Sequence, residues 1–92
     1  MTSMFEGSEF NRDISNWDVF NVTNMERMFT YSVFNKDISK WDVSAATKMP
    51  YMFAFSKFSG NISNWNVSNV IDMNGMFNSS PLQNNPPKWY KE

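Results

Sequence analysis

Trp17, Trp41, Trp65 and Trp89 stand 24 residues apart, and that spacing constrains the fold more than any other feature of the chain. Other columns keep the same step: Met1, Met25, Met49 and Met73, then Met4-Phe5, Met28-Phe29, Met52-Phe53 and Met76-Phe77, then Ser8, Ser32, Ser56 and Ser80. Phe10, Phe34, Phe58 and Leu82 follow it too, as do Ile14, Ile38 and Ile62, and Val19, Val43 and Val67. Self-similarity at one period without an insertion points to units stacked in a fixed geometry, each too small to bury its apolar face alone. One unit reads FNKDISKWDVSAATKMPYMFAFSK. With 9 Phe, 8 Met and 4 Trp in 92 residues and Leu82 the only leucine, large adaptable side chains must fill a single core.

The spacing changes character within a unit. Trp-x-Val has the period of a short strand, with two side chains inward and the one between them outward. Val22, Met25, Met28 and Phe29 follow with the spacing of a helical face, after Asn21 or Ser68-Asn69 as caps. Pro50 inside that segment restricts the helix to a short or 3₁₀ form. The reading is an α/β, leucine-rich-repeat-like solenoid of about four units, with short parallel strands on one side and short helices on the other. Strands are expected at 17–20, 41–44 and 65–68, with a frayed fourth near 89. The units run over 10–33, 34–57 and 58–81, flanked by partial units at 1–9 and 82–92. The alternative is a right-handed β-solenoid with little helix. Met1 already lies in phase, as if the array were cut from a longer one, and Pro86 and Pro87 read as a terminal cap, since proline blocks a further ladder.

FNRDISNWDVFNVTNMERMF and its two successors resemble the repeat of unknown function found in mycoplasma lipoproteins and other bacterial surface proteins, related to the BspA-like leucine-rich repeats. The resemblance covers nearly the whole chain. It implies a leucine-rich-repeat-like solenoid in which Ile14, Trp17, Val19 and their counterparts stand where that repeat has leucines. It also implies a surface-displayed interaction or adhesion module, although the chain carries no signal peptide or membrane-spanning run. One departure is plain: the asparagine ladder of an ordinary leucine-rich repeat falls here on Val22, Ala46 and Val70, so the turn must be bonded differently.

Composition argues against catalysis. With no His and no Cys, the commonest general base, the commonest metal ligand and the thiol nucleophile are all missing. The repeated serines have no base partner, and the in-phase acids fade to Asn61 and Asn66 in the third unit. A formal charge of −1 without a basic stripe speaks against nucleic acid.

The expected function is therefore non-catalytic recognition of a protein or glycan, without a cofactor. A structural spacer displaying another domain is the alternative. The candidate binding face is the outward pair of columns, Asn16, Lys40 and Asn64 beside Asp18, Asp42 and Asn66, with Tyr90 and Lys88 extending them. Paired Asp18 and Asp42, like Asp13 and Asp37, invite a calcium reading. The oxygens are too few, however, and carboxylates that accept turn amides explain them better. Tyr31 and Phe55 occupy a column that reads Gly7 and Ser79 elsewhere; they are either an exposed contact or further core.

Overall fold

In the computed structural model of the chain, which describes residues 2–90, short polar side chains set the local backbone. Asp13 Oδ1 accepts the Ser15 amide at 2.9 Å, and the turn closes with the Trp17 amide on the Ile14 carbonyl at 3.0 Å. Asp18 Oδ1 then accepts from Phe20 before Val22 donates to Val19, and Asn24 Oδ1 accepts from Glu26 before Met28 donates to Met25. Each is an Asp or Asn side chain standing in for a backbone acceptor at the head of a tight turn. Asp37 and Asp42, then Asn61, Asn66 and Asp72, do the same in the following units. Lys48 breaks the series without cost: the amide it would have to accept belongs to Pro50, which has none.

Beyond these turns the amides alternate. Met28, Thr30 and Ser32 close local turns onto residues three earlier, whereas Arg27, Phe29 and Tyr31 donate to Pro50, Met52 and Ala54 at 2.9–3.0 Å. Tyr51, Phe53 and Phe55 donate in the same way to Asn74, Met76 and Asn78. Left-handed backbone makes the alternation possible, with φ of 56° at Arg27, 59° at Tyr31, and 57° at both Tyr51 and Phe55.

The α/β solenoid expectation fails here. Among the described residues there is no helix, and pairing is limited to isolated parallel bridges joining Asn24 to Lys48 and Lys48 to Asp72. The segments 17–20, 41–44 and 65–68 are turns and loops, not strands, and nothing near 89 is a strand. The β-solenoid alternative lacks its strands equally. A helix of two turns is too short to repay its nucleation. Here half of its amides also find carbonyls one unit on, in the segment read as helical. The leucine-rich-repeat-like description therefore does not hold: the body is compact, 29 × 28 × 21 Å, and mostly turns and loops. The period survives in the offset of its contacts rather than as strand-and-helix units.

Those contacts build one core. Phe5, Phe29, Phe53 and Phe77 stack at 5.4–5.8 Å between ring centroids, and Phe34 and Phe58 lie against them, buried with the Ile, Val and Met columns. Trp41, Trp65 and Trp89 each lay an indole N–H on the carbonyl of Ile14, Ile38 or Ile62, at 2.9–3.0 Å, tying each unit to the one before. An amide ladder exists as well, but after the phenylalanine: Asn11 Oδ1 accepts the Asn35 amide and Asn35 Oδ1 the Ser59 amide. At the C-terminal end Pro86 and Pro87 lie partly buried, and Trp89 still stacks on Trp65 at 6.3 Å. Met1, the first of its column, and residues 91 and 92 of the expected cap fall outside the described residues.

Candidate functional site

All six residues of the expected binding face, Asn16, Asp18, Lys40, Asp42, Asn64 and Asn66, are exposed. They sit on consecutive tight turns instead of a strand. Asn16, Lys40 and Asn64 occupy the third place of the turns closed by Trp17, Trp41 and Trp65, while Asp18, Asp42 and Asn66 head the next ones. Lys40 borders a cavity of about 580 Å³ with Arg12, Asp13, Lys36 and Asp37, and Asn64 borders another of about 350 Å³. Tyr90 leaves the outward column: half-buried, it meets the Phe77 ring edge-on at 5.0 Å.

The carboxylates are occupied by their turns. Asp13 is held below the usual value of 3.8 by the Ser15 hydroxyl and then the Ser15 amide, and Asp42 likewise by Ser44. For Asp37 the Ser39 amide contributes most, then the Ser39 hydroxyl. Hydrogen bonds to the charged form favour it. Among the described residues no cluster of three or more acidic side chains could hold a metal ion.

Tyr31 and Phe55 form a different kind of site. They are 59% and 48% exposed, and their rings stack at 4.7 Å and 5°. Both stand in left-handed backbone, where an L side chain costs about 1–2 kcal/mol and glycine nothing comparable. The same column carries Gly7 at φ 67° and Ser79 at 53°. A parallel column runs Ser3, Arg27, Tyr51 and Gly75, with the Arg27 guanidinium 5.3 Å from the Tyr51 ring centre. Tyr51 in turn leans over Gly75, where a Cβ would meet its ring at 2.4 Å. Thr30 Oγ1 donates to the Tyr51 carbonyl and braces the segment between the columns. Glu6, Arg27, Thr30, Tyr31, Tyr51 and Phe55 surround a cavity of about 300 Å³, mostly aromatic with one acid and one base on its rim. Such a wall can stack on a ring or an apolar face while the charged pair bonds polar groups.

A family model described as "Mycoplasma protein of unknown function, DUF285" matches residues 1–89. The chain belongs to that family. No curated protein and no solved structure matches it. Nothing in the DUF285 match bears on leucine-rich repeats. Among the described residues no helix of this DUF285 chain is long and apolar enough to cross a membrane.

Sequence reasoning singled out Tyr31 and Phe55 but left them divided between surface and core, and it missed Arg27, Tyr51 and Glu6 altogether. The usable signal was the glycine at positions 7 and 75, in the columns of Tyr31 and Tyr51; both glycines stand in left-handed backbone, whereas Gly60, in the column of Arg12 and Lys36, does not.

Proposed function

We propose that the chain is a non-catalytic recognition module of a bacterial surface protein, binding protein or glycan through the exposed aromatic cluster around Tyr31 and Phe55. The observation that carries this reading is the stacked, half-exposed Tyr31–Phe55 pair, placed in backbone where glycine would be cheaper. The columns of Phe29 and Phe34 repay their burial with packing, whereas this pair gives up stability to present ring surface to solvent, as contact residues do. The carboxylates engaged in turns and the lack of His and Cys support a non-catalytic role. Surface display accords with the mycoplasma family and its resemblance to lipoprotein repeats.

The test is capture of extracellular proteins and immobilised glycans by the purified chain and by a Tyr31→Ser, Phe55→Ser double variant, serine being native to this column at Ser79. Binding should fall at least about tenfold in the double variant with unchanged circular dichroism. An Asp18→Lys, Asp42→Lys variant that loses binding instead would move the site to the other face. Capture of nothing by the parent would leave a spacer as the better reading.

A further inference from the structure

The turns headed by Asp13, Asp37 and Asn61 border a cleft that recurs with the period of the chain. Its first copy, about 580 Å³, is lined by Asn11, Arg12, Asp13, Lys36, Asp37 and Lys40. The second, about 350 Å³, is lined 24 residues on by Asn35, Lys36, Asp37, Gly60, Asn61 and Asn64. The third, about 540 Å³, carries Gly60, Asn61, Asn85 and Lys88. One backbone mould is thus fitted with three sets of side chains, and only the first holds three cations. Gly60 and Asn64 stand in the places of Lys36 and Lys40 without disturbing the turn, so the fold itself does not require those lysines. Nor has any of the three cations taken a carboxylate partner: among the described residues the one ion pair joins Arg27 to Glu26 at 3.9 Å. Asp13 and Asp37 beside them are engaged in their own turns, each accepting the amide and hydroxyl of a serine. Arg12, Lys36 and Lys40 are the unmatched groups of the cleft.

We infer that the first cleft binds the sulfate or carboxylate group of an acidic saccharide, held by Arg12, Lys36 and Lys40, with neighbouring sugar hydroxyls on Asn11, Asp13 and Asp37. This is a second site: it shares no residue with the cavity beside Tyr31 and Phe55 and does not depend on binding there. A guanidinium presents a planar fork that matches an oxyanion with two parallel hydrogen bonds, and the two ammonium groups add charge that can follow it. Each carboxylate keeps lone pairs beyond those its serine uses, and a hydroxyl donates to them without bringing charge. A bare inorganic anion would leave those acceptors unused. A neutral sugar would leave the cations unmatched, and a cationic ligand would meet three positive groups. The cleft has the volume of an ordinary ligand site, and Asn35, Asn61 and Asn64 in the next one offer amides to an adjoining uncharged ring of the same glycan.

The experiment is titration of the isotopically labelled chain with a heparin hexasaccharide, a hyaluronan hexasaccharide, inorganic sulfate and phosphatidylcholine–phosphatidylserine vesicles, following the backbone amide signals. Two variants run beside it. Lys36→Gln with Lys40→Asn removes two charges, asparagine being native to the second column at Asn64. Asp13→Asn with Asp37→Asn removes two opposing charges and keeps the turns, as Asn61 does. At least one hexasaccharide should shift the Arg12, Lys36 and Lys40 amides with a millimolar or tighter Kd. The lysine variant should weaken it at least about tenfold, and the aspartate variant should tighten it at least about threefold. Raising ionic strength from about 0.1 M to about 1 M, where the screening length falls from about 10 Å to about 3 Å, should weaken it in the parent. Absence of these shifts at about 10 mM saccharide, or equal binding by the lysine variant, overturns the inference. So does weaker binding by the aspartate variant, or binding of sulfate or of vesicles at least as tight as that of either hexasaccharide. Tyr31→Ser with Phe55→Ser should leave this binding unchanged, so the two sites stand or fall separately.

Discussion

Phe53→Ala removes the central ring of the buried stack. Phe53 is fully buried, 5.4 Å from Phe29 and 5.8 Å from Phe77 along the column, with Phe58 at 4.5 Å and Trp65 at 6.2 Å on its flank. Truncating a core phenylalanine costs about 3–5 kcal/mol, made up of lost transfer energy and the cavity left behind. Stacking adds about 0.5–1.5 kcal/mol per ring pair, only part of which is separate from that figure. A chain of this size holds roughly 5–14 kcal/mol in all, so the variant should lose between about a fifth of its stability and nearly all of it. At about 4–8 °C per kcal/mol, Tm should drop by roughly 12–40 °C. Two residues along, Phe55 is half exposed and stacks on Tyr31 alone, so Phe55→Ala should stay within about 1 kcal/mol. Urea and thermal unfolding followed by tryptophan fluorescence measure both. Equal losses in the two variants, or a Phe53→Ala loss under about 1 kcal/mol, would refute the assignment of these neighbours to core and surface.

Trp65→Phe keeps most of the ring but deletes the indole N–H bonded to the Ile38 carbonyl, and urea unfolding should register a loss of about 1–2 kcal/mol. Asp13, Asp37 and Asp42 ionise more readily folded than unfolded, so the stability they give is present above 3.8 and is lost as pH falls through their lower folded values. Melting temperature should therefore hold from neutral pH to about pH 5 and decline below pH 4. Asp37→Asn with Asp42→Asn should flatten that decline while keeping the turns, as Asn61 and Asn66 do natively. Ser79→Gly relieves a φ of 53° and should raise stability by about 0.5–1 kcal/mol in thermal unfolding. Gly75→Ala, with its Cβ against the Tyr51 ring, should lower it by about 1–2 kcal/mol in the same assay.

The core was legible because period and burial coincide: Ile14, Val19, Phe29 and Met52 recur in phase and all lie inside. So was the role of Asp13 and Asp37 as turn acceptors, since Asp at the head of a Ser-containing turn bonds locally. The secondary structure was not legible. Val22, Met25, Met28 and Phe29 have helical spacing, and a chain of tight turns sends the same positions inward while bonding alternate amides to another unit. Spacing alone does not separate the two. Only the tolerance of glycine in the columns of Arg27 and Tyr31 hinted at left-handed backbone, and that hint was ambiguous while large side chains filled half of those places. Tyr90 was misplaced because the turn after Pro87 differs from its counterparts: Tyr90 itself, not Trp89, closes it onto the Pro87 carbonyl.

The central claim is that residues 25–31 and 49–55 are turns bonded one unit onward, and that this bonding turns Tyr31 and Phe55 outward. Amide-detected nuclear Overhauser spectroscopy with hydrogen exchange tests it most directly. The account expects cross-peaks from the Phe29 amide to residues 52 and 53, ring contacts between Tyr31 and Phe55, and slow exchange at Arg27, Phe29, Tyr31, Tyr51, Phe53 and Phe55. An unbroken series of helical contacts between residues three apart from Val22 to Phe29, without the contacts to 52 and 53, would contradict it.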